Sequence, residues 1–138
     1  KAEILETIEA LKPTQKFQVC FFSDSEIPFP RQNWRHPKRD LSALESWLQQ
    51  IGPVGGTAPL PAFTYIFKNI KPAPDIVFFM TDGVFDQSQA PQIVRTATSI
   101  GGKEVEINTI CFESRQGEMV MQDIAEQTGG KYRYVPAP

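Results

Sequence analysis

The stretch PDIVFFMTDGVFD, Pro74 to Asp86, holds five consecutive apolar residues, Ile76 to Met80, that run straight into Thr81-Asp82-Gly83. A short apolar run bounded by turn residues is the pattern of a strand buried on both faces of a parallel sheet. Such a strand delivers its last residues to the carboxyl edge of the sheet, where open α/β sheets bind ligands. Asp82 and Gly83 are therefore expected on a ligand-binding rim.

Strand and helix patterns alternate on either side of this stretch. Lys1 to Leu11 carries Ile4, Leu5, Ile8 and Leu11 on one helical face, and Pro13 ends it. KFQVCFFSD (16–24) reads as a buried strand, whereas the prolines of SEIPFPRQNWRHPKR (25–39) allow at most a short edge strand. Asp40 is placed to N-cap a helix bearing Leu41, Leu44, Trp47, Leu48 and Ile51. The glycine-rich GPVGGTAPLP (52–61) leads into a helix marked by Leu60, Phe63, Phe67 and Ile70, with Pro59 or Pro61 in its first turn. Beyond residue 86, Ile93, Val94, Ala97 and Ile100 have helical spacing, and Gly101-Gly102 stops that helix. EVEINTICFE (104–113), EMVMQDIAEQTGG (118–130) and KYRYV (131–135) read as strand, glycine-stopped helix and short last strand. The alternation predicts an α/β sandwich with a mostly parallel sheet. Ser23-Asp24 would then end another strand at the carboxyl edge, and Gly55-Gly56-Thr57 would open a helix on the same rim.

The totals agree with one ordinary domain over residues 1–138: 41% hydrophobic and 22% charged, with a formal net charge of −2. That charge gives no general attraction to nucleic acid or anionic lipid. No apolar run approaches the roughly 20 residues of a membrane helix. The chain opens on Lys1 rather than a methionine, so upstream residues are expected. Cys20 and Cys111 lie inside apolar runs and are expected as buried free thiols. Unpaired cysteines lean towards a reducing compartment such as the cytoplasm.

Thr57 and Asp82 are suitable oxygen donors for a hard divalent cation, and the glycines beside them permit close approach. The order of VCFFSD, GPVGGTAPLPAF, DIVFFMTDG, EINTICFE and DIAEQTGGKYRYV along the chain closely resembles the von Willebrand factor A (VWA) domain family. The resemblance spans Lys1 to Val135, and the series GGT…TDG…TGGKY is its most specific part. It implies a doubly wound, Rossmann-like sheet with helices on both faces. It also implies a metal-ion-dependent adhesion site (MIDAS) for Mg²⁺ or Mn²⁺ on the carboxyl edge. There the family recognises protein partners, often through an acidic residue of the partner, without catalysis. Carried onto this chain, Thr57 and Asp82 match metal ligands and Gly56 and Gly83 the glycines beside them, with Ser23, Asp24 and Asp86 on the partner-binding rim.

One departure is large. The family's Asp-x-Ser-x-Ser motif, at the end of a first strand, has no counterpart here, and SDSE (23–26) follows a different strand. The cation site is thus expected to be incomplete in this chain. The family strand order puts the missing strand between QVCFF and IVFFM, and a gap there leaves two rows of backbone groups unpaired. Upstream residues are expected to fill it; a strand from another chain, or closure of the two strands, are the alternatives. In every case Cys20 and Cys111 stay apart, because two or three strand spacings of about 4.8 Å exceed the roughly 7 Å limit for a disulfide.

Plainer readings stand beside these. Thr57 alone is a cap or loop threonine, and Asp82 alone a turn aspartate ahead of Gly83. Asp24 and Asp86 read as solvated turn residues. Arg31, Arg35, Lys38 and Arg39, interleaved with Trp34 and His36, form a possible basic patch for an acidic partner or nucleic acid, or a solvated connection. An alternative function is a metal-dependent hydrolase or phosphoryl-transfer domain using Asp82, Asp86 and Asp24. It lacks a P-loop lysine motif, a paired DxD and a nucleophile placed beside His36, the sole histidine. A metal-free VWA scaffold is a further alternative.

Overall fold

Apolar face and glycine or proline stop recur together along the chain, and the elements follow that punctuation. The computed structural model describes residues 2–30, 33–51, 58–81, 84–102 and 104–136. In chain order the elements are α1 (Ala2–Glu9), β1 (Cys20–Phe22), β2 (Glu26–Pro28), α2 (Leu41–Gln50), α3 (Leu60–Asn69), β3 (Ile76–Thr81), a 3₁₀ turn (Gln87–Gln89), α4 (Ala90–Gly101), β4 (Glu106–Phe112), α5 (Glu118–Gln127) and β5 (Tyr132–Val135). Pro61 and Pro91 stand in the first turns of α3 and α4, where a missing N–H costs nothing. Gly102 (φ 87°) and Gly129 (φ 73°) follow α4 and α5 in the left-handed region that only glycine enters freely.

β3, β4 and β5 form a parallel sheet in that order, with Ile76 opposite Glu106 and Thr109 opposite Tyr132 at the starts of the two ladders. β1 and β2 form a separate antiparallel pair, Cys20 opposite Pro28. Helices cover both faces, as the alternation of side chains along a strand requires. Phe22 joins a core of Phe63, Phe67, Phe79, Ile93, Ala97, Ile107, Met121 and Ile124, fed by α3, α4 and α5. Its neighbour Phe21 points into the second core of Ile8, Phe17, Phe29, Leu44 and Leu48, fed by α1 and α2. The doubly wound α/β expectation therefore holds.

Three local expectations are corrected. β3 was expected to be buried on both faces; instead Ile76 is 51% and Phe78 47% exposed, because among the described residues β3 has β4 on one side and no strand on the other. Closure of β1 onto β3 does not occur among these residues. Asp40 precedes α2 but makes no side-chain cap; its carboxylate turns back to accept from the His36 N–H at 2.6 Å and to meet Arg35 and Arg39. Arg35 is not part of a surface patch. It is only 8% exposed, donates to the Pro30 carbonyl at 2.7 Å and lies 4.3 Å above the Phe29 ring. Lys38 and Arg39 remain exposed, and Arg31 lies outside the described residues.

Candidate functional site at the carboxyl edge

The segments after β1, β3 and β4 and the entry to α3 are tied together by backbone and amide groups. The Ala58 N–H donates to the Ser23 carbonyl at 3.1 Å, joining the entry to α3 with the end of β1. The Leu60 N–H, one of the unpaired donors of α3, is taken by Oε1 of Gln89 at 2.9 Å. The same 3₁₀ turn reaches the loop after β4 through Gln87 Nε2, which donates to the Gln116 carbonyl at 3.5 Å. Below lies an aromatic floor: Phe79 meets Phe22, Phe63 and Phe85 edge-on, with ring centroids 5.9, 5.2 and 5.5 Å apart. Such pairs fix ring orientation as well as burying area. The loops thus stand on a rigid base, an arrangement suited to holding ligand groups in place.

Of the residues expected on this rim, Thr57, Asp82, Gly56 and Gly83 lie outside the described residues. Their neighbours are described. Ala58 is bonded to Ser23, and Thr81 ends β3, buried and in register with Cys111. Ser23 is half-buried, with its N–H donating to the Ser25 carbonyl at 2.9 Å, while Asp24 is exposed. Asp86 serves its own turn: one carboxylate oxygen accepts from the Ser88 N–H at 3.1 Å and from the Ser88 hydroxyl. That is the turn-aspartate role.

Gln89 was not anticipated. Its contact with Leu60 joins residues 29 apart in sequence, and no local pattern announces it.

Further along the β4 and β5 side, the Tyr132 hydroxyl donates to Glu118 at 2.8 Å and Arg115 stacks 3.8 Å from the Tyr134 ring. The tyrosine bond and Arg115 hold the Glu118 carboxyl below its usual range, while burial and then Glu118 push Tyr132 up. His36 is engaged in its own turn, Nδ1 accepting from the N–H groups of Lys38 and Arg39 at 3.1 and 3.2 Å.

Among the described residues no group of three or more His, Cys, Asp or Glu side chains is placed to hold a metal. A cavity of about 360 Å³ between β2 and α3 is lined by Glu26, Leu60, Tyr65 and Lys68. Another of about 330 Å³ beside α1 is lined by Thr7, Phe78, Ile110 and Tyr132. Neither is lined by Ser23, Asp24 or Asp86.

No family model matches the sequence, and no curated protein matches it. Solved structures do match the fold. A von Willebrand factor type A protein from Catenulispora acidiphila superposes with a TM-score of 0.78 over 98% of this chain at 14% identity. Proximal thread matrix protein 1 from the mussel byssus superposes with a TM-score of 0.69 over 96% of this chain, again at 14% identity. A second structure of that mussel protein, with a zinc-occupied MIDAS motif, superposes at 0.70 over 96%. The chain spans about a third of the length of each: 33%, 34% and 35%. At such identity the likeness establishes architecture, and this chain has the von Willebrand factor A fold.

Proposed function

We propose that residues 1–138 form one non-catalytic interaction domain that binds a protein partner at the carboxyl edge of the sheet through a divalent cation. Thr57 and Asp82 are two of the ligands of a site that is incomplete within residues 1–138, and an acidic residue of the partner joins the coordination. The observation that carries this reading is the convergence of the loops after β1, before α3 and after β3 on one edge. Ser23–Ala58 and Leu60–Gln89 are the joints. A threonine hydroxyl and an aspartate suit a hard cation such as Mg²⁺ or Mn²⁺, which prefers oxygen and keeps water. The zinc-occupied MIDAS motif of a protein sharing this fold supports a divalent ion at this place. Asp86 belongs to its own turn, which disfavours the hydrolase reading built on Asp24, Asp82 and Asp86.

The test is a calorimetric titration of the chain with Mn²⁺ and Mg²⁺. Two protein ligands give weak binding, in the millimolar range characteristic of loosely caged cations. The signal should disappear in Asp82→Ala and in Thr57→Ala and persist in Asp86→Ala. Binding indifferent to Asp82 would refute the cation reading; no binding would mean that residues 1–138 hold too few ligands, and the titration is then repeated on a chain extended at its N-terminus, where absence of binding leaves a metal-free scaffold.

A further inference from the structure

The cavity of about 360 Å³ between β2 and α3 carries one charge of each sign. Leu60, Pro61, Thr64, Tyr65 and Lys68 line one wall; they recur every four residues and so share one face of α3. Glu26, the first residue of β2, supplies the other charge. Strand pairing fixes its place along the helix. Glu26 lies opposite Phe22, and the next residue, Ser23, accepts the Ala58 N–H at the entry to α3. Glu26 therefore stands towards the Leu60 end. Lys68 lies in the last turn of α3, about 10 Å beyond Pro61 at a rise of 1.5 Å per residue. Both charged side chains are exposed, and among the described residues neither forms an ion pair, with the other or with any third group. Leu60, Pro61 and the Tyr65 ring give the groove its apolar surface, and the Thr64 hydroxyl beside them makes no hydrogen bond among the described residues.

We propose that this groove binds a short unblocked peptide of about three residues, with its terminal ammonium at Glu26, its terminal carboxylate at Lys68 and an apolar side chain between them. The charge pattern selects that class. A ligand of one sign meets one attraction and one repulsion, whereas a dipolar ligand of matching length meets two attractions. An extended chain covers about 3.3–3.6 Å per residue, so three residues span the distance along α3 from Pro61 to Lys68. The volume lies within the range of small-molecule sites, and a mostly apolar lining with a few polar groups is their usual make-up. Thr64 offers its hydroxyl to a peptide group in the middle of the ligand. Because both charges are exposed, each contact is weak and screened by salt, so affinity is in the millimolar range and selectivity resides in the sign pattern. The groove is independent of the cation site, since neither Thr57 nor Asp82 lines it.

The experiment is an NMR titration of the isotope-labelled 138-residue chain at low salt with the tripeptide Ala-Leu-Ala, with the same peptide acetylated and amidated, and with nonanedioate, a diacid of similar length. The free tripeptide should shift the amides of α3 and β2 in a saturable way, and the other two should not. Glu26→Gln and Lys68→Gln should each weaken the tripeptide about threefold, the scale of one exposed ionic contact. Glu26→Lys places a cation at both ends, so it should lose the tripeptide and gain the diacid. Glu26 and Lys68 are exposed, and the unperturbed remainder of each spectrum verifies that the variants fold. Four results would each overturn the proposal: no saturable shift with the tripeptide, shifts confined to residues away from α3 and β2, equal binding of the blocked peptide, or a preference unchanged in Glu26→Lys.

Discussion

Removing the carboxylate of Asp40 should destabilise the fold far more than its position before α2 suggests. Arg35 beside it is 8% exposed, and breaking a buried pair costs about 3–5 kcal/mol when one charge is left behind. Two features temper this. The Arg35–Asp40 approach is long, 3.4 Å, and Arg35 keeps the Pro30 carbonyl and the Phe29 ring face. One feature adds to it: the 2.6 Å bond from the His36 N–H is lost, and bonds to charged groups contribute about 1.5–3 kcal/mol. The Arg39 pair adds little, because that side chain is 73% exposed.

Asp40→Ala is therefore expected to cost about 3 kcal/mol, lowering the urea midpoint by about 1–2 M. Trp47, packed on Phe29 at 5.0 Å, reports the transition by fluorescence. The double variant Arg35→Met, Asp40→Ala should be more stable than the sum of its parts by at least about 1 kcal/mol, since no charge is stranded. Burial pushes the Asp40 carboxyl up, but the His36 N–H, then Arg39 and Arg35, outweigh it and hold the group well below the usual carboxylate range. A depressed folded value means the contribution is fully present above the unfolded value of about 3.9 and is lost as pH falls towards the folded one. Between about pH 5 and 2 the protein should lose stability, and Asp40→Asn should flatten that slope. A cost of Asp40→Ala below about 1 kcal/mol, or additive effects in the double variant, would refute the reasoning.

Two further outcomes follow from single positions. A Cβ on Gly130 would lie 2.0 Å from the Ile107 carbonyl oxygen, a backbone atom that cannot step aside, so Gly130→Ala should cost about 2–3 kcal/mol and lower Tm by several degrees. The Cys20 thiol is pushed up to about 12, mainly by burial, and Cys111 is fully buried. At pH 8 both should resist iodoacetamide in the folded protein and react at ordinary rates in urea. Fast native labelling of Cys20 would contradict its environment.

Much of the architecture was legible because local chemistry determines it. Apolar spacing marked the helices, prolines confined residues 25–39 to one short edge strand, and glycines after α4 and α5 announced their ends. The run IVFFM announced a strand whose end lies at the carboxyl edge, and the order of GGT, TDG and TGGKY pointed to the fold. Other features depended on groups far apart in sequence. The second glycine of TGG is required because the Ile107 backbone passes against it, a packing fact absent from its neighbours. Gln89 finds Leu60 only when the sheet brings two loops to one edge.

Charge was the least legible property. Arg31, Arg35, Lys38 and Arg39 form one basic run in sequence, yet the cost of leaving a charge unpaired draws Arg35 inward to Asp40 and the Phe29 face. Whether a strand is buried depends on what lies beside it, not on its own residues. The sequence by itself determined that β3 is an apolar strand. Only the tertiary structure decided that Ile76 and Phe78 stand half exposed beside an edge without a partner among the described residues, because burial is a property of neighbours.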